Sequence, residues 1–339
     1  MASSAFPILV VAPERVDDAI LSSGLIRRLA DEAPHARFVV AAGAEVAPIY
    51  RDVPGLEWIV PFEPQPLGLQ WFALWRQARR RRWGLVLDLR GGGRFAHLLS
   101  ARRRAVKRPS NPAPASVHKV IEAARLVRLE DDPPAPYLFT GPETEARAAA
   151  LLKPADVPGA TEGPILALAP AAEWVGRAWP AERFAVLAAE LLGPRGPMPR
   201  GRLLLLGGAG DRWATETVRR AIARERLIDA VGQDLLVAYA CLKRARLFIG
   251  VDNPYLHLAA AAGAPTLGLF GPSDERVYGP WGSRTRVLRG PRDFEAFKAL
   301  DPGFSQAMNH MQDLSTSKVT AAARRLMAET EPDEPAPGE

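Results

Sequence analysis

Short, almost wholly apolar runs alternate with longer stretches of helical periodicity along most of this chain. In the first half ILVVA (8–12), RFVVAA (37–42), LEWIV (56–60) and GLVLDLR (84–90) read as strands. Residues 18–32, 69–82, 95–102, 117–129 and 142–152 read as helices, with a short basic strand at RAVKR (104–108). Strands so uniformly apolar are covered on both faces, so the alternation predicts parallel sheets between helical layers. KPADVPGATEGP (153–164) interrupts the rhythm as a linker does. The pattern restarts with ILALAP (165–170), a helix over 181–192, RLLLLGG (202–208), a helix over 211–224 and a closing helix over 317–329. The expectation is an α/β chain of two Rossmann-like domains, 1–155 and 163–330, facing across a cleft. A polar, Pro-rich tail at 331–339 is expected to be disordered. Residues 290–310 match no pattern with a physical reading.

The densest chemistry lies in RLFIGVDNPYLHLAAAAGAPTLGLFGPSDERVYGPWG (246–282). It reads as a buried strand, a sharp turn carrying Asp252 and Asn253, a helix through Ala262, a second strand over 266–270, and a Gly-Pro-Ser-Asp loop. In an open parallel sheet, ligands sit at the carboxyl ends of strands. There the following helix presents free N–H groups and its positive dipole end, so an anion is the expected guest.

Composition narrows this only partly. At 339 residues, 47% hydrophobic and 24% charged, the chain has the makeup of a soluble globular protein, with two domains the default. A formal charge of +6 and a pI near 9.7, mostly from arginine, admit an acidic substrate, an anionic membrane surface or a nucleic acid. No nucleic-acid recognition motif and no repeated aromatic-basic platform is present, which argues against the last. The single cysteine, Cys241, excludes an internal disulfide and any cysteine-rich metal site. The apolar stretch Phe6–Ala12 lacks a basic leader and is broken by proline, and no apolar run approaches the roughly 20 residues that cross a bilayer. A cytoplasmic, soluble protein is expected.

Taken together, PAAEWVGRAWPAERFAVLAAEL (170–191), LLLLGGAGDRWATE (203–216) and the 251–282 segment resemble glycosyltransferase family 9. The family includes the ADP-heptose:lipopolysaccharide heptosyltransferases and has the two-domain GT-B fold. The resemblance extends to the amino-terminal ILVVAPERVDDAILSSGLIRRLADEAPHARFVVAAG, to LDLRGGGRFAHLLSARRRAVKR and to MQDLSTSKVTAAARRLM, and so covers nearly the whole chain. It implies an inverting transfer of a heptose or related sugar from an ADP-heptose-like donor to a lipopolysaccharide core acceptor. No cofactor is implied.

The resemblance also assigns residues. The family's Asp-Ser/Thr-Gly-x-x-His turn, which holds the donor diphosphate, corresponds to Asp252, Asn253, Pro254 and His257, with the Ser and Gly replaced. Proline removes one N–H, yet Asn-Pro is a good helix start, and the N–H groups of Tyr255 and Leu256 are expected to remain for phosphate. His257 would otherwise read as a core histidine. Arg177 stands where the family has a phosphate-binding Lys before Trp-Pro; a guanidinium keeps the charge and changes the geometry. Trp179 and Pro180 read as packing residues that open the next helix. Asp211 corresponds to an acidic residue near the donor ribose, and is equally an ordinary helix N-cap. Glu173 has a weaker claim. Asp18 corresponds to the family's acceptor-deprotonating base, with Asp17 replacing the preceding Gly. An inverting transfer needs such a base opposite the leaving nucleotide, and Asp17 would raise the pKa of Asp18 by like-charge repulsion. Both aspartates could instead only cap the helix.

No Asp-x-Asp sequence or carboxylate cluster at metal-ligand spacing occurs, so Arg177, the helix end and His257 would neutralise the leaving group without a metal. Trp71, Leu74, Trp75 and Ala78 form a stripe that reads as the core side of a helix. The nearby arginines (Arg76, Arg79–Arg82) and the cluster Arg102–Arg104, Lys107, Arg108 suit an anionic glycolipid acceptor at the inner membrane leaflet. A rival reading is a catalytically silent relative that binds a nucleotide or glycan without turnover; the residues at 17, 253 and 254 keep it open.

Overall fold

The computed structural model describes residues 5–91, 94–107, 117–154, 156, 158–304 and 308–331. Arg108 of the basic cluster and all of the expected tail beyond Glu331 lie outside the described residues. Contacts divide the chain into two units, Met1–Glu145 with Asp234–Val237, and Ala146–Gln233 with Ala238–Glu339. The division falls inside a helix, ahead of the Pro- and Gly-rich passage.

In the first unit strands β1 (Phe6–Val11), β2 (Ala36–Ala42), β3 (Leu56–Pro61), β4 (Trp83–Asp88) and β5 (Ala101–Val106) form one sheet in the order β3-β2-β1-β4-β5, every pair parallel. Helices α1 (Val16–Glu32), α2 (Leu69–Ala78), the single turn α3 (Arg94–His97) and α4 (Lys119–Arg125) accompany it. Ile8 to Val11 are wholly buried, as a strand covered on both faces requires. On one face Leu9, Val11, Val39 and Val86 meet Leu74 and Ala78 of α2, with Trp71 and Trp75 packed alongside, which is the core role expected of that stripe. Gly24 of α1 is where the chain at 134–135 crosses the helix. A Cβ there would come within 2.4 Å of two backbone carbonyl oxygens.

Helix α5 (Pro142–Leu152) leads to the second unit. Its strands are β6 (Ile165–Ala169), β7 (Arg202–Gly207), β8 (Leu227–Val231), β9 (Ala245–Val251), β10 (Thr266–Phe270) and β11 (Thr285–Arg289), in the order β11-β10-β9-β6-β7-β8, again all parallel. Counted from β6, this is the 3-2-1-4-5-6 order of doubly wound nucleotide-binding sheets. The helices are α6 (Ala181–Leu192), α7 (Arg212–Arg220), α8 (Leu235–Leu242), α9 (Pro254–Ala261), α10 (Glu275–Tyr278), α11 (Phe294–Leu300) and α12 (Thr316–Glu329). Trp179 is buried and donates its indole N–H to Leu314 O at 2.8 Å, while Pro180 is the N-cap of α6, so both are packing residues as expected. Val319, Ala323, Leu326 and Met327 of α12 complete this core.

Sequence patterning failed at three of the four sheet edges, β5, β8 and β11, whereas the edge strand β3, expected over 56–60, runs Leu56–Pro61. The helix expected over 95–102 is the single turn α3, and the basic strand begins at Ala101, three residues early. β5 is an edge strand whose one buried residue is Ala105, and Arg104 donates to Ala96 O and Leu99 O at 2.9 and 2.6 Å. β8 and β11, absent from the sequence reading, are the two edges of the second sheet. Edge strands need no apolar run on both faces. No helix among the described residues is long and apolar enough to cross a membrane.

Candidate functional site

Each sheet has one point where strand order reverses, between β1 and β4 in the first unit and between β6 and β9 in the second. The loops leaving these strands diverge to opposite faces and open a crevice at the carboxyl ends. The residues flagged from sequence fall mostly at these two places.

In the first unit Glu14, Arg15 and Asp18 after β1, Arg90 and Gly91 after β4, and Lys107 after β5 line a pocket of about 350 Å³ together with Trp71. Asp88, fully buried at the end of β4, shapes the wall by accepting from the N–H groups of Arg90 (3.1 Å) and Gly91 (3.0 Å). The Arg90 guanidinium pairs with Glu14 and lies 4.8 Å from the Phe62 ring centre. Asp17 and Asp18 occupy the first turn of α1, but neither side chain caps it. Asp17 is buried and accepts from Arg15 at 2.9 Å. Asp18 lines the pocket, and its buried Oδ1 has no protein partner. Burial raises the Asp18 carboxyl above the ordinary aspartate value, Lys119 and Lys107 oppose this, and Asp17 adds a smaller upward push. The like-charge effect expected from Asp17 therefore has the expected sign and is outranked by desolvation. Lys119 and Lys107 are themselves shared with Glu122, at 2.7 and 3.4 Å. A larger cavity of about 600 Å³ between α1 and the end of α4 is lined by Arg103 and Arg104 of the basic cluster and by none of the residues flagged for catalysis or donor binding.

In the second unit Arg177 follows β6, and Asp252 closes β9. Arg177 Nη1 lies 3.5 Å from Asp252 Oδ2, and His257 Nε2 lies 3.8 Å from Asp252 Oδ1. Arg177 and Asp252 line a pocket of about 430 Å³ with Glu173 and Trp174 from the same loop as Arg177, Ser273 and Asp274 after β10, and Phe294 and Phe304. Two of the lining residues carry a buried polar atom with no hydrogen-bond partner, Arg177 Nε and Ser273 Oγ; both ring nitrogens of His257 also lack one, but His257 is buried beside Asp252 and does not itself line the pocket. Such atoms are costly unless something else satisfies them.

Asn253 and Asp211 are committed elsewhere. Buried Asn253 accepts from Leu256 N–H at 3.2 Å and donates to Ala171 O (2.9 Å) and Ala169 O (3.3 Å), so one side chain caps α9 and ties it to the end of β6. With Leu256 N–H so engaged and Pro254 lacking one, Tyr255 N–H is the remaining early donor of α9. Asp211 accepts from Gly208 N–H at 2.7 Å and so closes the turn ahead of α7; it stands at the N-cap position of that helix, but its side chain makes no cap hydrogen bond there. Its charge adds to burial in pushing the Tyr255 phenol above the ordinary tyrosine value. Sequence reasoning missed Arg90 at the first pocket, where Lys107 had been flagged only as part of a basic cluster, and Trp174, Ser273, Phe294 and Phe304 at the second, with the brace on the 271–275 loop. That brace is Arg289 of β11, which donates to Gly271 O, to Ser273 O and to Glu275, the last at 2.9 Å through Nε. Only the Gly-Pro-Ser-Asp sequence signalled any of this. Phe294 and Phe304 belong to the segment that matched no pattern.

Two doubly wound parallel units in one chain, each with candidate residues at its switch point, are the architecture of the GT-B glycosyltransferases. Residues 71–301 match the model of glycosyltransferase family 9 (heptosyltransferase), and the chain belongs to that family. It is 23% identical to lipopolysaccharide heptosyltransferase 2 of Salmonella typhimurium over 359 aligned positions, covering 95% of this chain and 99% of that protein. Among solved structures it resembles the family 9 glycosyl transferase of Veillonella parvula (TM-score 0.77, 18% identity, 97% of this chain and 99% of that one). It also resembles the ADP-heptose lps heptosyltransferase II of E. coli (TM-score 0.74, 20% identity, 96% and 100%).

Proposed function

We propose that this glycosyltransferase moves a heptose, or a related sugar, from an ADP-heptose-type donor to a lipopolysaccharide core acceptor, inverting the anomeric centre without an obligatory metal. The acceptor hydroxyl attacks the anomeric carbon, the bond from that carbon to the diphosphate oxygen breaks, ADP leaves, and the proton passes to Asp18. A carboxyl whose pKa burial has raised is a stronger base once ionised. Arg177 binds the diphosphate, Tyr255 N–H and His257 add donors, and Asp252 orients Arg177 and His257. Asn253 supports the donor side by holding α9 in place, and Asp211 sits where a ribose hydroxyl would find an acceptor.

The observation that carries this reading is the set of unpartnered buried donors on Arg177, Ser273 and His257 beside Asp252. An anion would satisfy them and would gain most as charge develops on the leaving group. Relatives named as heptosyltransferases supply the donor and acceptor classes. The test is ADP release from ADP-heptose in the presence of heptose-deficient lipopolysaccharide, alongside calorimetric titration with ADP. Transfer that vanishes in Asp18→Asn while ADP affinity persists supports the reading. No ADP binding at all overturns it. A second reading, binding without turnover, draws on the thinned donor set at α9, and ADP binding with no transfer to any glycan acceptor would establish it.

A further inference from the structure

Beside the Asp18 pocket, the first unit exposes apolar side chains other than the stripe that packs inward. Leu67 is fully exposed, and Leu69, Phe72 and Leu98 are 52%, 59% and 67% exposed. Leu67 is held at φ 56 and is followed by Gly68 at φ 71. Left-handed backbone is unfavourable for leucine, and here it accompanies a side chain that stands in water. A groove of about 570 Å³ lined by Trp71, Phe72, Trp75, Arg94, Phe95 and Leu98 runs among them. Trp71 also lines the Asp18 pocket, so the groove and the pocket adjoin.

The surrounding charge has one sign. Residues 67–104 hold ten arginines and a single acidic residue, Asp88, which is buried. Arg81 and Arg90 are paired with Glu57 and Glu14, whereas Arg76, Arg79, Arg80 and Arg82 are exposed. The Arg79 guanidinium lies 4.8 Å from the Trp75 ring centre. Exposed apolar side chains beside a groove that Arg94 lines, with Arg79 against the Trp75 indole, match the chemistry of an anionic bilayer interface. Acyl chains take the apolar side chains, lipid phosphates take the guanidinium groups, and indoles favour the boundary.

We infer that this face docks on an anionic lipid bilayer, with Leu67, Leu69, Phe72 and Leu98 entering the headgroup region. The inference deepens the acceptor half of the proposed function, because a lipid-linked acceptor would reach the Asp18 pocket from such a surface. Its test requires no transfer, so the two can fail separately. The full-length protein is floated with vesicles of phosphatidylcholine alone and of phosphatidylcholine with about a third phosphatidylglycerol. Binding should be confined to the anionic vesicles and fall with salt. The double variant Leu67→Ser/Phe72→Ser should weaken it at least tenfold, since each apolar side chain withdrawn from water changes partitioning by roughly that factor. Trp213→Ser, which trims an 80% exposed aromatic in the second unit, should leave it unchanged. Thermal melts of the variants should match the parent, because the altered side chains are exposed. No binding to anionic vesicles overturns the inference, as does binding insensitive to the double variant. A double variant that changes only the mass seen by light scattering would assign the face to a second copy of the chain and also overturn it.

Discussion

Replacing Asn253 with alanine separates a structural tie from a ligand contact. The side chain caps α9 through Leu256 N–H and donates to the carbonyls of Ala169 and Ala171 from a position that is 6% exposed. Loss of an N-cap costs about 1 kcal/mol, and each buried hydrogen bond removed costs roughly another 1 kcal/mol. The sum is roughly 2–4 kcal/mol, the upper end applying if no water reaches the two carbonyls. For a unit of this size that corresponds to a fall of roughly 4–16 °C in melting temperature. Asn253→Ser restores only the cap and should recover about 1 kcal/mol. Asn253→Asp keeps the cap but sets a carboxylate oxygen against two carbonyls, and should be no better than alanine. Thermal melts and urea titrations followed by circular dichroism supply the readout, with ADP affinity measured in parallel. The reasoning is refuted if Asn253→Ala melts with the parent while ADP affinity collapses, because the side chain would then be spending its hydrogen bonds on ligand.

Asp18→Asn should abolish transfer and leave ADP affinity intact. It should also raise stability at neutral pH: the folded carboxyl binds its proton more tightly than the unfolded one, so ionised Asp18 destabilises the fold, and the gain shrinks as pH falls toward the ordinary aspartate value of 3.8. The acid limb of kcat/KM should lie above that value, shifting down in Asp17→Asn and up in Lys119→Met; a limb unmoved by both would separate it from Asp18. Arg177→Ala should weaken ADP binding more than tenfold, as expected for a charge-assisted contact, with Arg177→Lys intermediate; equal affinities in calorimetry would remove Arg177 from the donor site. Arg289→Ala should speed amide exchange across 271–275 and release Glu275, whose carboxyl Arg289 helps to hold below its usual value against the effect of burial; unchanged exchange would show that the loop stands without the brace.

How much could be read in advance depended on position within each sheet. Ile8 to Val11 and Leu166 to Ala169 are central strands with no exposed face, so composition alone announces them. β8 and β11 carry Asp229, Arg286 and Arg289 because a sheet edge is half solvated, and the same charges hide it from pattern reading. Helix α8, LLVAYACL, is apolar all round and shows no amphipathic period. Among the site residues, Asp18, Arg177 and His257 were named only through the family resemblance, since pattern alone leaves Asp18 a helix cap and His257 a core histidine, whereas Asp252 was visible as the polar residue of a turn after a buried strand. Asn253 was legible as a helix cap, but its second bond to the end of β6 joins residues more than 80 positions apart. Trp174 and Phe304, with ring centres 6.1 Å apart, meet across a still wider gap in sequence.

The two pockets share one construction and differ in the polar atoms they leave unpartnered. At each, a buried side chain locks the loop that leaves a central strand: Asp88 holds the N–H groups of Arg90 and Gly91, and Asn253 holds α9 against the loop after β6. With the loops fixed, unpartnered polar atoms accumulate where a ligand would sit. The first unit offers a carboxylate oxygen among lysines, the second a guanidinium nitrogen, a hydroxyl and an imidazole around a carboxylate. The proposed transfer needs a proton acceptor for the incoming hydroxyl and a cationic, donor-rich seat for the outgoing diphosphate. Neither lining has charge of one sign: Arg15, Arg90 and Lys107 stand with Glu14 and Asp18 in the first, and Arg177 with Glu173, Asp252 and Asp274 in the second. The proposed reaction therefore draws on which atoms each switch point leaves unpartnered, a carboxylate oxygen of Asp18 in the first unit and the Arg177 and Ser273 donors in the second, more than on the net charge of either pocket.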